Sequence, residues 1–414
     1  MDKFFTPADL RPADYRLKLD ANESSLRGVT HIKWTHHGTR PLSILRLCGQ
    51  IDNLEISNHA GAICRENPDF ARITLDAPML PGDTIHLRAD FSADMAISPL
   101  CDGDGSILMP NGNIWYPALL WDIPMGGDFS AEISAPDNFR ICATGHQIGN
   151  IFQQNSVRKF GLLLCQNLEY AEIAAGDVAI KAHYPKADEP AMRELMKTTA
   201  DAIAFFRDLL GFYPGRSYSM VKYSSSWSGG GNWATGIAHF HGLNRIGQNP
   251  WIAAHELAHM YFGEYVIDGD YVGWLWIALG MMLDEEFSES RGIAYPWGDR
   301  AEAVYSYKQN GGDTTIWRSR EALAAAEAAN NDYNTHIRHD KAFCVIQSLA
   351  KTIGKTTLFA ILRQILADYP GRPLRTMDFW QICENRTGMR LDKFFTDTLH
   401  SNDLQFLDNQ EESR

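Results

Sequence analysis

The spacing of the apolar residues changes once along this chain of 414 residues, at Gly176-Asp177, and that change constrains the fold more than any other feature. Ahead of it, Tyr15 to Asp20, Ile73 to Asp76, Thr84 to Phe91 and Asp128 to Ser134 alternate apolar with polar residues, the period of strands with one buried face. Pro81-Gly82-Asp83 and Ala135-Pro136-Asp137-Asn138 punctuate them as turns. Behind it, a short strand over Val178 to Tyr184 leads to an amphipathic helix, Ala191 to Leu210, with its apolar face at 192, 195, 196, 199, 200, 203 and 206. A strand from Tyr218 to Tyr223, a Gly-rich loop from Ser228 to Gly231 and an edge strand from Asn232 to Phe240 follow. Beyond these the pattern predicts helices over 274–290, 301–307, 319–329, 341–352, 356–368 and 376–387. A chain this long exceeds one typical core. The expectation is a multidomain α+β protein, with an all-β domain over 1–175 and a mostly helical domain over 176–414.

Helical spacing gains a chemical meaning at His255-Glu256-Leu257-Ala258-His259, inside the run Trp251 to Gly263. On a helix the two histidines share one face, about 6 Å apart at Cβ, so both imidazoles reach one metal ion. Glu256 then stands beside that metal as general base toward water, which is why zinc hydrolases use this HExxH spacing. Pro250 is placed to start the helix and Gly263 to end it. The competing reading is a buried helix with two satisfied histidines.

Other features narrow the classes of function. A net charge of -13 argues against a nucleic-acid partner. The stretch from Val272 to Leu283 is too short and the first residues lack a basic-then-apolar pattern, so neither a membrane span nor a signal peptide is expected. The seven cysteines are scattered without CxxC spacing, which suits free thiols in a reducing cytoplasm. The partners expected are a peptide or small-molecule substrate, with the oligomeric state undefined.

With the pentad, its sequel HELAHMYFG and the domain order in view, the chain resembles the aminopeptidase N family of gluzincin zinc metallopeptidases, which includes leukotriene hydrolase. Tyr15 to Trp34 and Asp76 to Ala93, with Leu80-Pro81-Gly82, are similar to that family's saddle-shaped N-terminal β domain, as are Trp115-Tyr116-Pro117 and Ala143-Thr144-Gly145. Arg390 to Leu399 is similar to its closing helix. The resemblance implies a thermolysin-like catalytic domain, one zinc per chain held by His255 and His259, and Glu256 as the base.

Three family positions depart. The third zinc ligand, a Glu in a W-x-N-E-G context, falls by counting on Ala278 and by aligning Trp276 and Gly280 on Leu279, and neither can bind zinc. The GAMEN motif, whose Glu grips a substrate's α-amine, aligns with Gly229-Gly230-Gly231-Asn232-Trp233 and puts Gly231 where that Glu belongs, so Gly230, Gly231 and Asn232 become the substrate-contact candidates. The oxyanion-stabilising tyrosine is replaced by His339, in His339-Asp340-Lys341-Ala342. As a cation His339 donates to an oxyanion, as a neutral ring it ligates the metal, and as a loop histidine it does neither. Asp284, Glu285 and Glu286 are expected as a solvated helix end, and Leu279, Met281 and Met282 as an apolar wall. His239 and His241 either face the cleft or decorate a strand edge.

Two functions fit: a zinc-dependent hydrolase with an altered site and a non-standard substrate, or an inactive relative serving as a binding or scaffold protein.

Overall fold

The computed structural model of the protein describes residues 11–67, 69–97, 105–111, 115–120, 126–222, 229–243, 251–292, 300–329 and 333–408. Pro250, Ser228, Tyr223 and the first residues, on which some expectations rested, lie outside them. Two compact units divide the chain, one drawn from Met1–Asp201, Pro214–Pro250 and Pro370–Pro373, the other from Ala202–Tyr213, Trp251–Tyr369 and Leu374–Arg414. The α+β character is as the sequence patterns predict, β-rich first and helical after.

In the first unit, Ala13–Ala21 alternates buried and exposed along its whole length, so one face of it is core. It pairs in parallel with Gly127–Ser134 and antiparallel with Ser25–Thr35, which in turn pairs with Thr84–Ile97 in a ten-stranded sheet. A four-stranded sheet carries Leu42–Cys48, Gly61–Asn67 and Phe70–Met79. An aromatic column of Tyr15, Phe129 and Phe160, with ring centroids 4.5 and 5.4 Å apart, runs through the core. Its polar ends are satisfied, because Tyr15 OH accepts from the Leu119 amide at 3.1 Å and Tyr116 OH from that of Phe160 at 3.1 Å.

A five-stranded sheet in the same unit contains Glu169–Ala175, Val178–Tyr184, Ser217–Lys222, Ile237–His241 and, at its edge, Gly229–Ala234. The loop and single edge strand expected here are instead, over the described residues 229–241, an antiparallel hairpin turned at Thr235-Gly236. Thr235 Oγ1 holds that turn by accepting from the amides of Arg158 at 3.1 Å and Lys159 at 3.3 Å.

The second unit is helical around Trp274–Ser290, whose Trp274, Leu275, Ile277, Leu279, Met281, Met282 and Phe287 are all buried. Such all-round burial marks a central helix rather than a surface one. Phe206 packs against its Phe287, with ring centroids 6.3 Å apart, and against Tyr261, at 5.9 Å. Among the described residues no helix is long and apolar enough to cross a membrane.

Candidate functional site

The HExxH segment forms a helix over Trp251–Ala258, which ends five residues before the expected stop at Gly263. The backbone explains this. Met260 and Tyr261 donate back three residues, to Leu257 and Ala258, and then Glu264, Tyr265 and Val266 donate back five, to His259, Met260 and Tyr261. The helix tightens and then widens, and neither geometry continues an α-helix. His259 still sits on the last turn, its amide 3.4 Å from the His255 carbonyl, so the two rings share a face as the spacing requires.

Their geometry is specific. The Nε2 atoms of His255 and His259 stand 3.2 Å apart and the ring planes meet at 80°. Two nitrogens bound to one tetrahedral zinc at about 2.0–2.1 Å would be about 3.3 Å apart, so the pair fits two corners of such a shell. On the other side of the His255 ring, Nδ1 lies 2.7 Å from Oδ2 of Asp284, whose side chain is 0% exposed. A carboxylate on Nδ1 fixes the ring with its Nε2 lone pair outward, the usual outer shell of a metal-bound histidine.

Asp284 therefore corrects an expectation: it is a buried partner of His255 and not part of a solvated helix end. Glu285 and Glu286 are also engaged, the first accepting from Gln347 Nε2 at 3.1 Å and the second pairing with Lys355. Gly280 adds a contact that the sequence patterns did not name. A Cβ added there would stand 2.9 Å from Cε1 and 3.1 Å from Nδ1 of His259, so the imidazole lies against this glycine. Trp276 flanks the same ring at 4.5 Å. Leu279, Met281 and Met282 are buried within the unit. Trp276, Gly280 and Asp284 are four residues apart on one stripe of their helix, as His255 and His259 are on theirs, and such ridges are what pack helix on helix. The stripe was visible in the sequence, but only the contact gave it a role.

Electrostatics follow from burial. Desolvation pushes the carboxyl of Glu256, 4% exposed, up to about 7, with His255 opposing the rise and Asp284 adding to it. Burial works against a charge on His255, but the hydrogen bond and the negative charge of Asp284 outweigh it and raise its pKa. A carboxyl poised near neutrality exchanges protons well in either direction.

His339 is half-buried on a π-helical segment, Tyr333–Lys341, a helix form concentrated at functional sites. The segment is pinned by its neighbours. Arg300 Nη1 donates to Asp340 Oδ1 at 2.6 Å, His336 Nδ1 lies 3.2 Å from Asp340 Oδ2, and Lys341 Nζ donates to the carbonyls of Thr314 at 2.7 Å and Ser401 at 3.0 Å. Among the described residues no group of three or more His, Cys, Asp or Glu is gathered that could hold a metal ion, so His339 is not brought together with His255 and His259 in such a group. The protein side of the shell is thus two histidines that fit and no third ligand among those residues.

The substrate-contact candidates lie on the edge strand Gly229–Ala234 of the first unit. Gly231 pairs with His239 and Gly229 with His241. The Asn232 side chain, with its amide oriented to satisfy both groups, donates to the carbonyls of Ala234 at 3.0 Å and Ile237 at 3.1 Å, so it closes the hairpin turn. Gly230 and Gly231 have only backbone groups to offer.

Comparison with known proteins agrees with the fold. Residues 243–398 match the Peptidase family M1 domain. A search of curated proteins found no match. Among solved structures, the chain is similar to an M1 zinc metallopeptidase from Deinococcus radiodurans, with 17% identity, a TM-score of 0.68 and coverage of 95% of each chain. It is similar to a mutant of that Deinococcus radiodurans enzyme bound to a Tyr-Ser-Ala substrate, with 16% identity, a TM-score of 0.67 and coverage of 95% of each chain. A two-domain M1 zinc metallopeptidase mutant bound to L-tryptophan matches with 16% identity, a TM-score of 0.66 and coverage of 96% of each chain. At these identities the likeness is one of fold.

Proposed function

We propose, on the premise that this chain carries a peptidase family M1 domain, that it is a zinc-dependent hydrolase of the metallopeptidase type with an altered site and a non-standard substrate. The observation that carries the reading is the approach of His255 and His259 Nε2 to 3.2 Å with Asp284 seated on His255 Nδ1. In this reading His255 and His259 hold one zinc per chain, and zinc supplies Lewis acidity and a more acidic water. Glu256 takes the proton of the attacking water at its carboxylate and returns it to the leaving group, work for which a pKa near 7 is suited. Asp284 keeps the His255 ring in one tautomer and orientation. His339, when protonated, donates to the developing oxyanion. Gly230 and Gly231 align the substrate through their backbone, with Asn232 holding the hairpin that presents them.

The substrate class is a peptide or a small molecule with a comparable acyl bond, consistent with the Tyr-Ser-Ala substrate of the Deinococcus radiodurans mutant. The proposed domain division, 1–175 and 176–414, assigns the pentad to the second domain, and the proposed location is the cytoplasm. The alternative, a non-catalytic binding or scaffold relative, is favoured by the lack of a third metal ligand among the described residues.

Elemental analysis of purified wild type, His259→Ala and His339→Ala discriminates the two. About one zinc per wild-type chain, lost in His259→Ala, is expected. Loss in His339→Ala as well would give that residue the third place in the shell. Folded wild type without zinc, even after reconstitution, would leave the scaffold reading.

A further inference from the structure

The two helices that meet at the pentad bury nearly everything they carry. Over 251–264 only His255 is partly exposed, and over 272–284 only Trp276 is. Both rings stand against that of His259, His255 at 4.7 Å between centroids and Trp276 at 4.5 Å with planes at 61°. Solvent therefore reaches this packed region on either side of His259, at an imidazole on one side and at an indole on the other. The indole is seated and not loose. Gly263, at φ +115°, and Gly273, at φ +70°, hold backbone conformations that favour glycine. A Cβ at Gly263 would stand 3.2 Å from Cε3 of Trp276, and one at Gly273 would stand 3.0 Å from its Nε1 and 2.5 Å from Nη2 of Arg338. The side chains missing at the two glycines leave the room that the edges of the indole occupy.

We propose that Trp276 is the specificity-determining side chain on the His259 side of the site, and that its indole selects a substrate with an aromatic ring on the residue next to the bond to be broken. The inference rests on the hydrolase reading and names the class of substrate that site takes. Two features carry it. A ligand that reaches the Nε2 atoms of His255 and His259, 3.2 Å apart, enters where Trp276 is one of the two accessible side chains of these segments. A flat indole face offers an aromatic ring offset-stacked or edge-on contact, which a saturated ring of similar size matches only in area. Because the glycine seats and the His259 ring already fix the indole, a ligand that stacks on it has little further ordering to impose.

The test measures binding of phenylalanyl-alanine and of its cyclohexylalanyl twin, similar in size but without the π-system, by calorimetry at neutral pH. It uses full-length Glu256→Gln protein, which lacks the base and so keeps both ligands intact. That protein is expected to favour the aromatic twin by roughly threefold or more. Adding Trp276→Leu is expected to abolish the preference, and adding Trp276→Phe, which keeps a smaller ring against His259, to retain the order at a smaller ratio. Equal binding of the twins, preference for the saturated one or binding of neither overturns the proposal, as does an unchanged ratio in either folded Trp276 variant. Trp276→Phe decides alone if Trp276→Leu does not fold. The hydrolase reading is scored separately, through zinc content and turnover of each twin in wild type and His259→Ala. A twin preference without zinc or turnover sinks the hydrolase and leaves Trp276 as the platform of a binding site, whereas turnover without the preference does the opposite.

Discussion

The protein holds two histidine pairs of nearly the same shape and opposite chemistry. His255 and His259 sit four apart on a helix with rings 4.7 Å apart at 80°, and His239 and His241 sit two apart on a strand with rings 4.9 Å apart at 83°. What differs is the third party. Asp284 faces His255 of the helical pair and raises its pKa, whereas in the strand pair His239 packs over Gly231 and burial lowers the pKa of both rings. Ring geometry alone therefore does not say whether a histidine pair is built to gather positive charge or to refuse it. The counter-charge decides.

The sharpest way to break the comparison is to remove that counter-charge. Asp284→Ala should cost about 3 kcal/mol in urea unfolding, because it strands a buried imidazole without its partner. Asp284→Asn, a closer mimic in shape, should weaken zinc binding about 10- to 100-fold in a chelator competition. Unchanged stability and affinity in both would mean that Asp284 only fills space.

Next in size are the glycines that let the rings approach. Gly280→Ala forces its methyl to 2.9 Å from the His259 ring inside packed helices, and overpacking of that kind costs about 2 kcal/mol. Gly231→Ala meets His239 more closely still, at 2.6 Å, but in the last strand of its sheet rather than between packed helices, so its thermal shift should be smaller. Equal shifts would erase the distinction between a core pair and an edge pair.

The pairs should also pull stability in opposite directions with pH, which zinc-free protein can reveal. His239 titrates below its unfolded value near 6.5, so its contribution is present above that pH and is lost as pH falls toward about 4, with a slope of up to ~1.4 kcal/mol per pH unit. His255, whose folded pKa is raised, contributes fully below 6.5 and loses that contribution as pH rises through the folded value. Denaturant midpoints of His239→Asn and His255→Asn against pH should therefore flatten opposite limbs of the profile. The smallest effect expected is Asn232→Ala, about 1 kcal/mol for the bonds that close the hairpin turn.

Much of this was legible in the residues. The alternation of Tyr15 to Asp20 and the periodic positions of Ala191 to Leu210 reappear as a core strand and a long helix, because one-sided burial imposes a period on the sequence wherever a face meets a core. HExxH spacing brought His255 and His259 together, because helical geometry is local. Glycines misled where their meaning was not local. Gly229-Gly230-Gly231 read as a loop but forms a strand, since pairing with Ile237–His241 and the ring of His239 over Gly231 give it the packing its own side chains lack. Asp284 read as solvated because a charged run at the end of a helix usually is, and no local rule says which neighbour covers it.

The order of the chain by itself determined an N-terminal β region, a helical region carrying the pentad and the convergence of two imidazoles, all set by periodicities of a few residues. Only the tertiary structure decided which group stands against each ring. Asp284 and Gly280 meet His255 and His259 across more than twenty residues of chain, and Gly231 meets His239 across a strand pairing. Those contacts depend on how one element's ridge fits another's groove, and the energies that make a histidine a metal ligand or a neutral donor arise there, from burial and counter-charge that no local spacing encodes.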